Sequence, residues 1–100
     1  MPRLRPPDRE EKLARRTALA DKAAAGGLRL PQAVREMRRA LGLTQAQFAA
    51  RFGLTRQQVI DLELGRANPT QETLQRIARP FGFTLGFVPR SRAEEEPGPD

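Results

Sequence analysis

Residues 43–65 read LTQAQFAARFGLTRQQVIDLELG. The stretch carries one starting device twice. Thr44 precedes a run of helix formers with Gln47 three positions on, and Thr55 precedes a second run with Gln58 three positions on. The threonine oxygen takes the N–H of the third helical residue and that residue's side chain returns the bond, so each pair marks a helix start. Leu43 with Phe48, and Leu54 with Val59, fall at the apolar positions that clasp the chain around such a cap. Gly53 and Gly65 stop the two helices, since glycine takes a left-handed turn at no steric cost. Phe48, Ala49 and Phe52 line the inner face of the first helix; Val59 and Leu62 line that of the second. Only Gly53, Leu54 and Thr55 join them, which forces a sharp angle, and the small Ala49 permits the close approach that the angle requires.

Working outward, Pro31 suits a first helical turn, and Val34, Met37 and Leu41 follow at spacings of three and four before Gly42. On the other side, Arg66 to Pro69 reads as a loop. Thr70 caps a further helix with Leu74, Ile77 and Ala78 inside, and Pro80 ends it near Arg79. Asp8 opens an N-terminal helix to about Ala25, with Glu11 at the capping-box position and Gly26-Gly27 as the stop. Its apolar face is mostly alanine, with Leu13 and Leu19 the only large members, so it buries little area and is expected to be the least firmly held element.

Beyond Gly82 the period changes to two. Phe83, Leu85 and Phe87 alternate with Thr84, Gly86 and Val88, and Pro89 closes a short strand. A lone strand leaves its ladder unpaired, which pairing with the same strand of a second copy would satisfy, giving a twofold homodimer. The competing reading folds these phenylalanines back onto the chain's own core. The expected class is therefore mainly α: a compact helical bundle plus one short C-terminal β-strand paired across a dimer. Its parts are a basic flexible arm (1–7), an Ala-rich helix (8–27), the central bundle (28–82), the dimerisation strand (83–89) and a disordered acidic tail (90–100).

Composition narrows the function. The 100 residues carry 18 Lys plus Arg against 12 Asp plus Glu, a formal charge of +6, and contain no His, Cys, Trp or Tyr. The last eight residues, AEEEPGPD, hold four acids and no base, so the remainder carries +10. A chain of this length fits one domain. Thiol redox centres, Cys nucleophiles, the usual zinc sites and the Ser-His-Asp arrangement are excluded. No metal or cofactor is expected, and no enzyme, because no nucleophile lies beside a base. No apolar run could span a membrane, and Met1 to Pro7 lacks the apolar core of a secretory signal. A cytoplasmic protein is the expectation. The basic residues are 16 Arg and only 2 Lys, and arginine suits phosphate and guanine. Of five Phe, Phe48, Phe52 and Phe81 fall on core faces, which leaves too few for a single-strand or RNA stacking platform. Arg3 and Arg5 could enter a minor groove as a basic arm.

The run LGLTQAQFAARFGLTRQQVIDLELGRANPTQETLQRIA, residues 41–78, resembles the Cro/repressor-type (XRE-like) helix-turn-helix family. The likeness extends over about residues 30–82 and implies a four- or five-helix bundle that binds double-stranded DNA as a dimer, its second motif helix in the major groove. Carried over by position, Arg56, Gln57, Gln58 and Asp61 would contact bases, and Thr44, Gln45, Arg66 and Asn68 the phosphates. Arg38 and Glu63 would form a buried structural ion pair. Three positions depart from the family pattern. Ile60 and Leu64 stand where polar residues are usual; they could touch thymine methyls or contact a partner, and the favoured reading packs them against the first helix. Asp61 places an acid on the face that would meet the groove. A helix-turn-helix followed by a C-terminal strand is also similar to HipB-like antitoxins. That likeness implies an autorepressor that binds a toxin from the adjacent gene, through the Ala-rich helix or the acidic tail. The alternatives are a stand-alone or phage-type repressor and a module that only neutralises a partner enzyme.

Overall fold

The computed structural model describes residues 8–90. The basic arm with Arg3 and Arg5, and nearly all of the acidic tail, lie outside the described residues. Five helices follow in order: α1 (Arg9–Ala24), α2 (Gln32–Ala40), α3 (Gln45–Phe52), α4 (Arg56–Leu64) and α5 (Gln71–Ala78), the last continuing into a 3₁₀ turn, Arg79–Phe81. The 3₁₀ turn absorbs Pro80, whose missing N–H would otherwise leave a gap in the helical ladder.

Each start signal is spent as its chemistry dictates. Thr44 Oγ1 accepts from the Gln47 N–H at 3.1 Å while Gln47 Oε1 accepts from the Thr44 N–H at 2.9 Å. Thr55 and Gln58 repeat the exchange at 3.1 and 2.8 Å. Asp8 and Thr70 cap α1 and α5. Gly53 and Gly65 sit at φ 69° and 74°, the left-handed region that favours glycine. The Gly53 turn lets the Leu54 N–H bond back to the Ala49 carbonyl at 2.8 Å, which closes the end of α3 as the chain turns into α4.

The core is built from Val34, Met37 and Ala40 of α2, Phe48, Ala49 and Phe52 of α3, Val59 and Leu62 of α4, and Ile77 of α5, with Leu19 the sole contribution of α1. Phe48, Val34 and Val59 are the largest fully buried side chains. The Phe48 and Phe52 rings lie 4.3 Å apart, tilted by 35°. Leu43 and Leu54 pack partly buried against this cluster, as their places beside the caps require. α3 packs on α4, α4 on α2, and α2 on α1. Gly65 holds the end of α4 against Pro31, where a Cβ would stand 3.2 Å from the proline ring.

Two expectations are corrected, and a third, the C-terminal strand, is not confirmed. Leu13 is not on a buried face: it is 68% exposed, and Leu19 is the one residue of α1 that is buried. Leu74 is half-buried at the edge of α5 rather than interior. Residues 83–90 form no ladder, and no strand is present among the described residues. Phe83 folds back, half-buried against the core, and stacks on Phe81 at 5.7 Å. Its N–H bonds to the Ala78 carbonyl, which draws this end of the segment inward. Leu85 and Val88 are exposed and Phe87 is fully so. Among the described residues no second strand lies beside this segment, so it has no ladder partner there.

Candidate nucleic-acid interface

The geometry of α4 is fixed from its inner side. Val59 and Leu62 bury in the core, and Glu63, one position further on, is 6% exposed. A buried carboxylate is stable only when its oxygens are satisfied. Arg38 of α2 meets it two-pronged, Nε to Oε2 at 2.6 Å and an Nη to Oε1 at 3.0 Å, and its other Nη donates to the Leu43 carbonyl. Arg35 approaches Oε1 at 3.4 Å and Gln45 Nε2 at 3.3 Å. Burial pushes the Glu63 carboxyl upward. The hydrogen bonds and charge of Arg38, with the bonds from Gln45 and Arg35, outweigh it and hold the group below the ordinary glutamate value. This network ties α2, the start of α3 and α4 into one unit. Arg35 and the inward bond of Gln45 are not marked in the motif. The one available signal was spacing: Arg35 and Arg38 are three apart and share a face of α2.

With the inner side of α4 held, its opening turn presents Arg56, Gln57 and Gln58 to solvent. Arg56 makes no hydrogen bond or ion pair among the described residues. Gln57 Nε2 donates to Asp61 Oδ1 at 3.1 Å, and Arg66 Nε stands 3.8 Å from the same oxygen. The acid on this face is thus flanked by an amide and a guanidinium. The Asp61 carbonyl also accepts from the Arg66 and Ala67 N–H groups at 2.8 and 3.2 Å, so the following loop, with Arg66 and Asn68 exposed, is anchored to α4. Thr44 keeps its hydroxyl hydrogen after capping, and Gln45 keeps a second N–H after bonding Glu63, so both retain a donor. Ile60 packs half-buried, but Leu64 is 52% exposed at the end of α4 and does not. Arg76 of α5 reaches the turn from below, 3.6 Å from where a Cβ on Gly53 would stand.

The C-terminal segment is held elsewhere, on the α1–α2 connection. Arg29 donates to the Gly26 carbonyl at 2.7 Å and to the Pro89 carbonyl at 2.6 Å. Arg16 of α1 donates to the Pro80 carbonyl at 2.9 Å and lies over the Phe81 ring at 6.0 Å. An apolar hollow of about 480 Å³ remains between this segment, α2 and α5, bordered by Leu28, Leu30, Leu74, Leu85 and Phe87. Arginine-to-carbonyl bonds of this kind carry no sequence signature. Among the described residues no group of acids could hold a metal ion, and no helix is long and apolar enough to cross a membrane.

A three-residue turn between two capped helices, with the second helix exposing arginine and amides over a pinned inner face, defines a helix-turn-helix protein. The helix-turn-helix family model matches residues 34–88, and the chain belongs to that family. It is similar to an uncharacterized HTH-type transcriptional regulator of Methanothermobacter thermautotrophicus, 51% identical over 49% of this chain and 71% of the relative. It is likewise similar to the uncharacterized HTH-type transcriptional regulator y4dJ of Sinorhizobium fredii, 46% identical over 48% of this chain and 62% of the relative. HTH-type transcriptional regulator DdrOP3 of Deinococcus deserti is 36% identical over 58% of this chain and 45% of the relative. The last two are therefore matched over less than two thirds of their own length. No solved structure matches the chain at a significant level.

Proposed function

We propose that this chain is a sequence-specific, non-enzymatic transcriptional regulator that binds a palindromic operator as a homodimer and represses its own operon. The observation that carries the reading is the solvent face of α4: Arg56, Gln57 and Gln58 stand exposed on a first turn whose inner side is pinned by Val59, Leu62 and the Arg38–Glu63 pair. Arginine and glutamine match the edges of guanine and adenine in the major groove. Thr44, Gln45, Arg66 and Asn68 supply donors at the flanks for phosphates, and a body charge of +10 drives encounter. The relatives named as transcriptional regulators support the same assignment. Dimerisation runs through the segment 83–89: its unladdered backbone and the exposed Leu85 and Phe87 pair with the same segment of a second copy, placing two recognition helices about 34 Å apart. Such a protein acts in the cytoplasm, on the nucleoid. Titration against the chain's own upstream DNA and against random duplex, at several salt concentrations, tests the reading. A preference for the upstream DNA of at least ~1,000-fold at physiological salt is expected; equal affinity for both would sink it.

A second reading, favoured by the exposed Leu13 on α1, adds a protein partner: the chain would be the antitoxin of a type II toxin–antitoxin pair, masking a toxin encoded by the adjacent gene. Expressing that neighbour alone and together with this chain decides it. Killing that this chain relieves supports the antitoxin role; a neighbour harmless on its own rules it out.

A further inference from the structure

The two glutamines of the recognition turn are held by opposite ends of their amides. Gln57 points nitrogen-first at Asp61, 3.1 Å away. A carboxylate only accepts, so this orientation is dictated by chemistry: the amide nitrogen faces Asp61 and the carbonyl oxygen faces outward. Gln58 is held the other way. Its oxygen accepts from the Thr55 backbone N–H at 2.8 Å, a group that only donates, so its NH₂ faces outward. Both residues are exposed, and neither has another bond among the described residues that would reverse it.

We propose that Asp61 is a positioning residue for specificity rather than a base-contacting one. Resting on the DNA-reading role proposed above, it fixes Gln57 as a reader of bases that offer a donor. Gln57 then accepts from the exocyclic amine of adenine or cytosine, and with adenine its remaining N–H bonds N7. Thr55 fixes Gln58 in the opposite sense, as a donor toward guanine O6 and N7, thymine O4 or a phosphate oxygen. The two-bond adenine contact would require Gln58 to share this oxygen with the Thr55 N–H or to release the returned half of the capping box. Side by side in sequence, the two amides therefore select complementary classes of base edge. Arg66, at 3.8 Å, offsets the charge of Asp61 so that this acid can stand in the interface.

The test is selection of binding sites from a random duplex library with the full chain, its Asp61→Asn variant and its Gln57→Ala variant. Asparagine keeps the size of Asp61 and can bond Gln57 with either end, so a role in shape alone would survive the change. The wild type is expected to enrich adenine or cytosine at one position of each half-site. Gln57→Ala should lose that preference, and Asp61→Asn should weaken it at the same position by on the order of ten-fold while other positions hold. An enriched wild-type site whose preferences Asp61→Asn leaves unchanged, or changes at a position Gln57→Ala does not touch, overturns the positioning role alone. A wild type that enriches no sequence overturns the DNA-reading role and this inference with it.

Discussion

The middle of the molecule and its two ends are built to different standards. Between Gln32 and Ala78 every helix start but that of α2 is closed by a threonine cap, α3 and α4 both stop on left-handed glycines, and of the large apolar side chains only Leu64 is exposed. α1 contributes one buried residue in sixteen, and the segment after Gly82 leaves Leu85, Phe87 and Val88 in solvent. The middle can hold a recognition helix rigidly, which precise base contact demands. The ends have apolar surface left over, which single chains usually cover with a partner. Stability and partnership thus occupy separate stretches of the chain, and substitutions in each should fail in different ways.

The largest effect is expected at the join of the middle. Glu63→Ala leaves Arg38, only 14% exposed, without its carboxylate, and should cost ~3–5 kcal/mol in urea unfolding. A cost below about 1 kcal/mol would mean the pair is not what holds α2 to α4. The same carboxyl sets a pH dependence. Its folded-state pKa is depressed, so its contribution is fully present above the unfolded value of about 4.3 and is lost as pH falls through the folded one. Unfolding midpoints measured from pH 7 downward should decline in that acidic window, and Glu63→Gln should flatten the decline. An unchanged acid limb in the variant would assign the dependence to other carboxylates.

Caps give the next comparison, and a sharper one. Thr55→Ala removes the acceptor for the Gln58 N–H in the rigid half and should lower global stability by ~1 kcal/mol. Asp8→Ala removes the equivalent bond from α1, yet α1 is tied down mainly through Leu19. Its loss should appear as fraying of α1 in amide exchange, with the global midpoint nearly unmoved. If both substitutions lower the midpoint equally, α1 belongs to the same cooperative unit as the bundle and the division between middle and ends is wrong.

Legibility followed the same boundary. The caps of Thr44 and Thr55 and the helix stops of Gly53 and Gly65 act locally, so they could be read from spacing alone; the close approach of Gly65 to Pro31 could not. The Phe48, Phe52, Val59 and Leu62 faces follow helical period and are where that period puts them. Gln45 shows where local reading stops. Its place at the head of α3 suggests a phosphate contact, while its amide reaches across to Glu63, eighteen positions on. Gln57 and Asp61 are four apart on one face, so their bond was open to a spacing argument, but the sense of the amide emerges only with the atoms in place. For the ends, period two in Phe83, Leu85 and Phe87 pointed to a strand that residues 83–90 do not show: Phe83 turns inward while Leu85, Phe87 and Val88 are all exposed, so no face alternates. Leu13 misled because periodicity reports which residues could face a core, not whether the core extends that far.

The smallest effects on folding are expected at the ends, and there they are the informative ones. Leu13→Ser and Phe87→Ser each replace a side chain already in solvent, 68% and fully exposed, so neither should move the unfolding free energy of the single chain by more than about 0.5 kcal/mol. Their consequences should separate in mass measured across a concentration series. Phe87 lies on the segment proposed to pair between copies, so Phe87→Ser should shift the population toward monomer and weaken operator binding, since two half-sites are then engaged independently. Leu13 lies on α1 and not on that segment, so Leu13→Ser should leave the dimer intact and act only on a protein partner. If instead Leu13→Ser dissociates the dimer while Phe87→Ser does not, the two chains meet through α1. The C-terminal segment would then be left free, with the apolar hollow beside Leu28 and Leu74, as the face that a different protein covers.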